Sequence, residues 1–330
     1  MTTPGVLAGI DLADPALAAR VAEGLVAVEG LLDEELLSQF PFVTEAASHL
    51  MHAGGKRFRP MFTLVAAGIG PAPTSPDVIT AAAVVELIHL ATLYHDDVMD
   101  EAEIRRGAKS ANARWGNSIA ILTGDFLFAH ASRLVAGLGP DAVRIIADTF
   151  AELVTGQTRE TVGAAPGADP IEHHIKVLDE KTASLLDTCA RYAGMFSGAT
   201  EEQITSLRRF GRAVGVAFQI SDDIIDIVST DSGKTPGTDL REGVLTLPGL
   251  YTLASDPGSR LAELVARPLT SEVEVAEAVA LLRESDGMKQ ALATLESYAR
   301  TAAEALAELP DSPSRDALSS LSRFVVERTR

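Results

Sequence analysis

The stretch LYHDDVMDEAEIRRG, residues 93–107, sets Asp96, Asp97 and Asp100 just behind a long apolar run and follows them with Arg105 and Arg106. Carboxylates at this spacing can gather a hard cation, and adjacent arginines can bind an anion. The acid spacing returns in FQISDDIIDI, residues 218–227, as Asp222, Asp223 and Asp226, with Gln219 three or four residues ahead of the first two. On a helix turning about 100° per residue, Asp96 and Asp100 share a face, and Glu86 and His89 continue the polar stripe. A charge run is usually the solvated side of an amphipathic helix. Here the stripe is narrow and the rest is densely Val, Leu, Ile and Ala, where unneutralised carboxylates are costly. Two such clusters on separate helices imply helices that face each other across a cavity and share ions. Oxygen-only ligands suit Mg²⁺, which completes its octahedron with water and substrate phosphate.

The bases point to a second anion. GGKRFRP, residues 54–60, is a glycine-rich turn carrying Lys56, Arg57 and Arg59 ahead of Pro60, a residue favoured at the start of a helix. Backbone N–H groups at that helix start would add to the side chains in holding an anion. The loop DSGKTPGTD adds Lys234, but its GKT lacks the earlier glycine of a P-loop, because Val228 stands there. Acids for cations and two groups of bases suit a pair of diphosphates, one clamped through Mg²⁺ and one held by the basic loop. An apolar cavity beneath would take a hydrocarbon.

The elements that must position these groups are helices. Apolar residues recur at three- and four-residue spacing over most of the 330 residues, broken by short Pro/Gly segments near 68–77, 137–141, 162–170, 229–239, 254–259 and 309–314. With 46% hydrophobic and 5% aromatic residues, the chain reads as one all-α domain over 1–330, a large helical bundle around a central hydrophobic cavity. A net charge of −18 repels nucleic acid. Cys189 is the only cysteine, which excludes an internal disulfide. No signal peptide opens the sequence, and AAAVVELIHLATLY, interrupted by Glu86 and His89, is too short to span a bilayer and reads as a core helix. A cytoplasmic location follows as the expectation.

Taken in order, GGKRFRP, HDDVMDEAEIRRG, GDFL, EKTASL, GVAFQISDDIID and GKTPGTDLREG resemble the trans-isoprenyl diphosphate synthases of the polyprenyl synthetase family, over roughly Gly54 to Tyr251. The resemblance implies the isoprenoid synthase fold and a homodimer. It assigns Asp96, Asp97, Asp100, Asp222, Asp223 and Asp226 to Mg²⁺ and, through it, to the allylic diphosphate. Arg105, Lys181 and Lys234 would touch that diphosphate. Lys56, Arg59, His89 and Arg106 would hold isopentenyl diphosphate, and Thr182 and Gln219 would sit near the developing carbocation. Two positions depart from the family: Val244 stands where many relatives have a lysine on the diphosphate, and Lys109 replaces a frequent proline.

Product length depends on what blocks the pocket below the first acids. Ala91 and Thr92, one turn before Asp96, are small where members stopping at farnesyl carry aromatic bulk, and Ile88 continues the aliphatic floor, with Phe126 and Phe128 as deeper stops. The expectation is a long-chain all-trans product of the kind used as a quinone tail, with peripheral membrane contact for its release left open. A short-chain farnesyl or geranylgeranyl synthase is the nearest alternative. A terpene cyclase would need neither the second acid motif nor Lys56, Arg59 and His89, and a non-catalytic partner subunit would not need both acid motifs intact.

Overall fold

The computed structural model describes residues 6–7, 9–228, 236–267, 269 and 271–329. Regular structure among them is almost wholly helical, as the apolar spacing predicts. The helices are α1 Pro15–Glu35, α2 Pro41–His52, α3 Phe58–Ala66, α4 Pro76–Met99, α5 Ala111–Trp115, α6 Asn117–Ala136, α7 Pro140–Val162 and α8 Pro170–Leu178. They continue as α9 Ser184–Ser197, α10 Glu201–Val228, α11 Thr238–Arg241, α12 Leu247–Ser255, α13 Arg260–Val265, α14 Glu272–Glu284, α15 Asp286–Ala307 and α16 Pro313–Glu327. Two-residue strands β1 Val6–Leu7 with β2 Ile10–Asp11, and β3 Ile104–Arg105 with β4 Ala108–Lys109, pair antiparallel and close local turns. The expected breaks fall between helices, and proline opens α1, α2, α4 and α8, where its missing N–H is no loss.

The chain forms two compact units. The first holds Met1–Ala151, Leu185–Arg208 and Glu308–Leu318; the second holds Glu152–Ser184, Arg209–Ala307 and Ser319–Arg330.

In the first unit α4 is central, packed against α1, α3 and α6. The Ser75 hydroxyl caps its start by accepting the Asp77 N–H. From Ala81 to Ile88 every side chain is buried, Glu86 included, which marks a helix enclosed on nearly all sides. Each buried Leu or Ile there contributes about 1.5–3 kcal/mol. Gly124 on α6 leaves room for the His95 imidazole of α4, whose ring a Cβ there would meet. The Tyr94 phenol donates to the Ala46 carbonyl at 2.6 Å and accepts the Leu50 N–H at 3.1 Å, tying α4 to α2. Helices α4 and α6 are both long and apolar enough to cross a membrane, but two-thirds of the apolar window of α4 is buried, as in a core helix.

In the second unit α12 packs on α15, α8 and α14. Between α8 and α9, Asp179–Ala183 form a single π-helical turn, a feature that frequently marks functional positions. Arg212 grips Asp179 through two bonds of 2.6 and 2.8 Å and also pairs with Glu152, while Arg159 donates to Glu180 at 2.9 Å. Gly156 lets α7 approach, since a Cβ there would stand 2.6 Å from the Lys181 backbone nitrogen.

Candidate active site

The basic loop of the first unit is held in backbone conformations that few residues adopt. Gly54 and Gly55 have φ of 125° and 122°, Arg57 at the start of α3 has φ 48°, and Glu101 and Arg106 after α4 have φ 50° and 54°. Each left-handed non-glycine residue costs on the order of 1 kcal/mol or more. All three of these lie in the two segments singled out for their charge. The guanidiniums of Arg106 and Arg57 lie against Gly55, where a Cβ would come within 2.8 Å of Arg106 Cζ. Arg106 donates to the carbonyls of Leu50 at 2.9 Å and Gly54 at 2.7 Å, and Arg57 to that of Met51 at 2.8 Å.

Both arginines turn towards Glu86, at 3.8 Å for Arg57 and 4.0 Å for Arg106. Burial raises the Glu86 carboxyl above its ordinary range, and Arg59, Arg57 and Arg106 pull it back. Arg59 is itself lowered by burial, with Glu86 opposing, and its Nε has no hydrogen-bond partner. His89, nearly one turn after Glu86, is pushed well below its usual value by burial and then by Arg59, Arg106, Arg105 and Arg57. Arg57 also lies 3.4 Å from Glu29, so two carboxylates face three guanidiniums beside a neutral imidazole, and the remaining positive charge suits an anion. Lys56 is exposed on the same loop.

The first acids divide by depth. Asp97 is fully buried and accepts Arg105 Nε at 2.6 Å through one oxygen, while its other oxygen is buried without a partner. Burial raises this carboxyl, and Arg105 opposes. Asp96 is half-buried on α4, whereas Asp100, expected inside the helix, is its exposed C-cap and lies 4.0 Å from Arg105. On the second half of α4, His89, Thr92, Leu93, Asp96 and Asp100 are all accessible and form one stripe. Thr92 lies on it, its hydroxyl turned to the His89 carbonyl at 2.8 Å. Ala91 is fully buried and Ile88 is 1% exposed, so neither reaches the accessible stripe. Of the deeper stops, Phe128 stacks against Phe150 at 4.3 Å and Phe126 against His130 at 4.2 Å.

In the second unit each member of the α10 acid motif has a resident partner. Asp222 accepts Arg328 at 2.6 Å; buried Asp223 meets His174 at 2.8 Å; Asp226 accepts the backbone N–H groups of Thr238 and Asp239 at 3.1 and 3.3 Å. Asp239 is pushed up to about 7 by burial and then by the charges of Asp226 and Asp223. Gln219 is half-buried one turn before Asp222 and Asp223. In the π turn, Lys181 pairs with Glu160 and Thr182 is half-buried. Lys234 lies outside the described residues. Val244 is exposed, its N–H donating to the Asp239 carbonyl at 2.8 Å.

Among the described residues no three His, Cys, Asp or Glu side chains are drawn together into a ready metal cluster. The donors nonetheless fit a divalent cation: they are carboxylate oxygens, the Asp97 oxygen without a partner is one of them, and the crowding at Asp239 is of the kind a cation relieves. Arg57, Glu86, His174, Asp239 and Arg328 were not among the residues assigned from the sequence. GGKRFRP did contain Arg57 among its bases, and the polar stripe contained Glu86. Nothing local in the sequence marks His174 or Arg328.

A chain whose described residues are almost wholly helical, with acid motifs on two helices and a half-buried arginine site for an anion, suits transfer chemistry on phosphorylated substrates. The polyprenyl synthetase family model matches residues 40–282. The chain is 56% identical, over 99% of both chains, to nonaprenyl diphosphate synthase of Mycobacterium tuberculosis. Among solved structures it is similar to geranylgeranyl pyrophosphate synthase from Corynebacterium glutamicum complexed with calcium and isoprenyl diphosphate, at TM-score 0.88 and 50% identity, covering 96% of this chain and 98% of that one. It is also similar to a decaprenyl diphosphate synthase from Rhodobacter capsulatus, at TM-score 0.87 and 35% identity, covering 96% and 99%. The chain belongs to the polyprenyl synthetase family, and the expected all-α isoprenoid synthase fold is borne out.

Proposed function

We propose that this chain is a prenyltransferase that condenses isopentenyl diphosphate with an allylic diphosphate, head to tail and in trans, to build a long-chain polyprenyl diphosphate. The observation that carries it is the arginine site around Glu86. It suits a diphosphate held by side chains alone, which a cyclase would not need. The long product rests on the small, accessible Thr92, and on similarity to relatives named for nonaprenyl and decaprenyl products. A short-chain product is the alternative, favoured by similarity to the geranylgeranyl synthase.

In this reading Lys56, Arg59, Arg106 and neutral His89 hold isopentenyl diphosphate. Asp96, Asp97 and Asp100, with Asp222, Asp223 and Asp226, hold Mg²⁺ ions, which supply charge stabilisation at the leaving diphosphate. Arg105, Lys181 and Lys234 bind that diphosphate directly. The allylic C–O bond breaks and its electron pair leaves with pyrophosphate; the isopentenyl double bond then attacks the cation, forming a C–C bond. Loss of a proton restores a double bond, with the departing pyrophosphate as the acceptor that the family resemblance implies. Thr182 and Gln219 turn oxygen dipoles towards the cation, and aliphatic walls exclude the water that would quench it. The chain works as one catalytic domain in the cytoplasm, as a homodimer for which the exposed Ile121 and Leu122 of α6 offer apolar contact.

The test is product analysis. Purified protein is incubated with Mg²⁺, labelled isopentenyl diphosphate and, separately, geranyl, farnesyl and geranylgeranyl diphosphates. Products well beyond geranylgeranyl are expected. A stop at farnesyl or geranylgeranyl would remove the long-chain reading, and no elongation from any primer would remove the function.

A further inference from the structure

The α10 motif carries a cradle for a guanidinium. Phe218 and Asp222 are one turn apart on the same face. The Arg328 guanidinium lies over the Phe218 ring, its Cζ 4.1 Å from the centroid and 5.7 Å from that of Phe324 on α16. It donates to Asp222 Oδ1 at 2.6 Å, to the Phe218 carbonyl at 2.9 Å and, through Nε, to the Ser221 hydroxyl. The Arg328 side chain is 16% exposed, and that of Asp222 is 47% exposed. An aromatic face, a carbonyl, a hydroxyl and a carboxylate thus converge on one cation, more than an exposed ion pair requires. Arg328 itself stands just past the end of α16, held by its N–H on the Phe324 carbonyl at 3.1 Å.

We propose that Arg328 is a resident counter-cation of Asp222, which holds the acid in the substrate-free protein and is displaced when the acid takes a divalent ion. This rests on the reading of Asp222 as a metal ligand. An Mg²⁺ or Mn²⁺ ion binds carboxylate oxygen at about 2.0–2.1 Å and would stand beside the guanidinium; two cations so close repel, and one must leave. Arg328 stands just past the end of α16 and meets Phe218, Ser221 and Asp222 within α10, so fraying of the last turn of α16 is enough to release it. Arg328 is therefore a positioning residue: it neutralises Asp222 while the site is empty and sets a threshold for ion entry. Loading of the site then reports itself as release of residues 325–329.

The test uses substrate-free protein and Mn²⁺ alone, with the free ion measured by electron paramagnetic resonance. Arg328→Gln is expected to bind Mn²⁺ about tenfold more tightly, the equivalent of one charged hydrogen bond removed from competition. Arg328→Lys, which keeps the charge, is expected to return towards wild type. In the wild type, Mn²⁺ is expected to speed hydrogen exchange at residues 325–329. Equal or weaker binding by Arg328→Gln, an Arg328→Lys variant that behaves like it, or unchanged exchange on loading would each overturn the counter-cation. Asp222→Asn separates the two readings. If it binds Mn²⁺ like wild type, Asp222 is not a ligand and the premise fails; if it binds more weakly while Arg328→Gln changes nothing, only the role of Arg328 fails.

Discussion

Acidification probes the arginine site through His89. Its ordinary pKa is 6.5, and in the folded chain burial and then the arginines push it well below that. Between the two values the unfolded chain binds a proton that the native chain refuses, so stability rises with pH across that window and is lost as pH falls below about 6.5. The loss is at most about 1.4 kcal/mol per pH unit, or roughly 2 kcal/mol at pH 5. Glu86 and Asp97 act with the opposite sign: burial raises them, so the native state keeps protons the unfolded chain has lost, and they cost stability as pH rises. Those contributions are shared by wild type and His89→Gln and largely cancel in the difference. Urea unfolding of both proteins at pH 8, 6.5 and 5 is the assay. Stability of the variant relative to wild type should improve by about 1–2 kcal/mol between pH 8 and pH 5, and saturating pyrophosphate should shrink that gap by offsetting the arginine charges. Parallel profiles would mean that His89 is not held neutral, and would refute the reasoning.

Gly55→Ala puts a Cβ 2.8 Å from Arg106 Cζ at a φ of 122°. It should raise the KM for isopentenyl diphosphate about tenfold, equivalent to roughly 1.4 kcal/mol, with little change in kcat; steady-state kinetics varying each substrate would check this, and a rise confined to the allylic substrate would contradict it. Thr92→Phe, on the accessible stripe, should shorten the product with little loss of stability. Ala91→Phe, in a wholly packed position, should cost about 1–3 kcal/mol. Product sizing beside thermal melts tests both, and unchanged length in both variants would remove the small-residue floor.

What could be read from the chain was what helical periodicity alone determines. The helical character of α4 and of the α10 acid segment, the breaks between helices and the stripe from His89 to Asp100 follow from spacing, because neighbours on a helix face are neighbours in sequence; the end of α4 before Asp100 does not. Partners distant in sequence were not legible. Asp222 and Arg328 are 106 residues apart, and Asp223 and His174 are 49 apart. The π turn at Asp179–Ala183 is equally silent, since it depends on Arg212, Arg159 and the close approach at Gly156 rather than on its own residues. Ala91 and Thr92 read alike as small floor residues. About 100° of helical turn sends one into packing and leaves the other accessible, a difference fixed by what lies against α4.

The partners found at the acids also bear on how charged ligands enter. A carboxylate buried without neutralisation would cost several kcal/mol, and a site of empty, converging acids would be unstable while waiting for its ions. Here Asp97 rests on Arg105, Asp222 on Arg328, Asp223 on His174 and Asp226 on two backbone N–H groups, while Glu86 lies between Arg57 and Arg106. Binding a cation or a diphosphate is then an exchange of partners, in which the new charge replaces one already desolvated. Such exchange keeps the substrate-free chain stable, and it makes affinity depend on the difference between two ion pairs rather than on the whole of either. It also fits the absence of a preformed metal cluster among the described residues, since acids that each hold a partner of their own need not gather around an ion in advance.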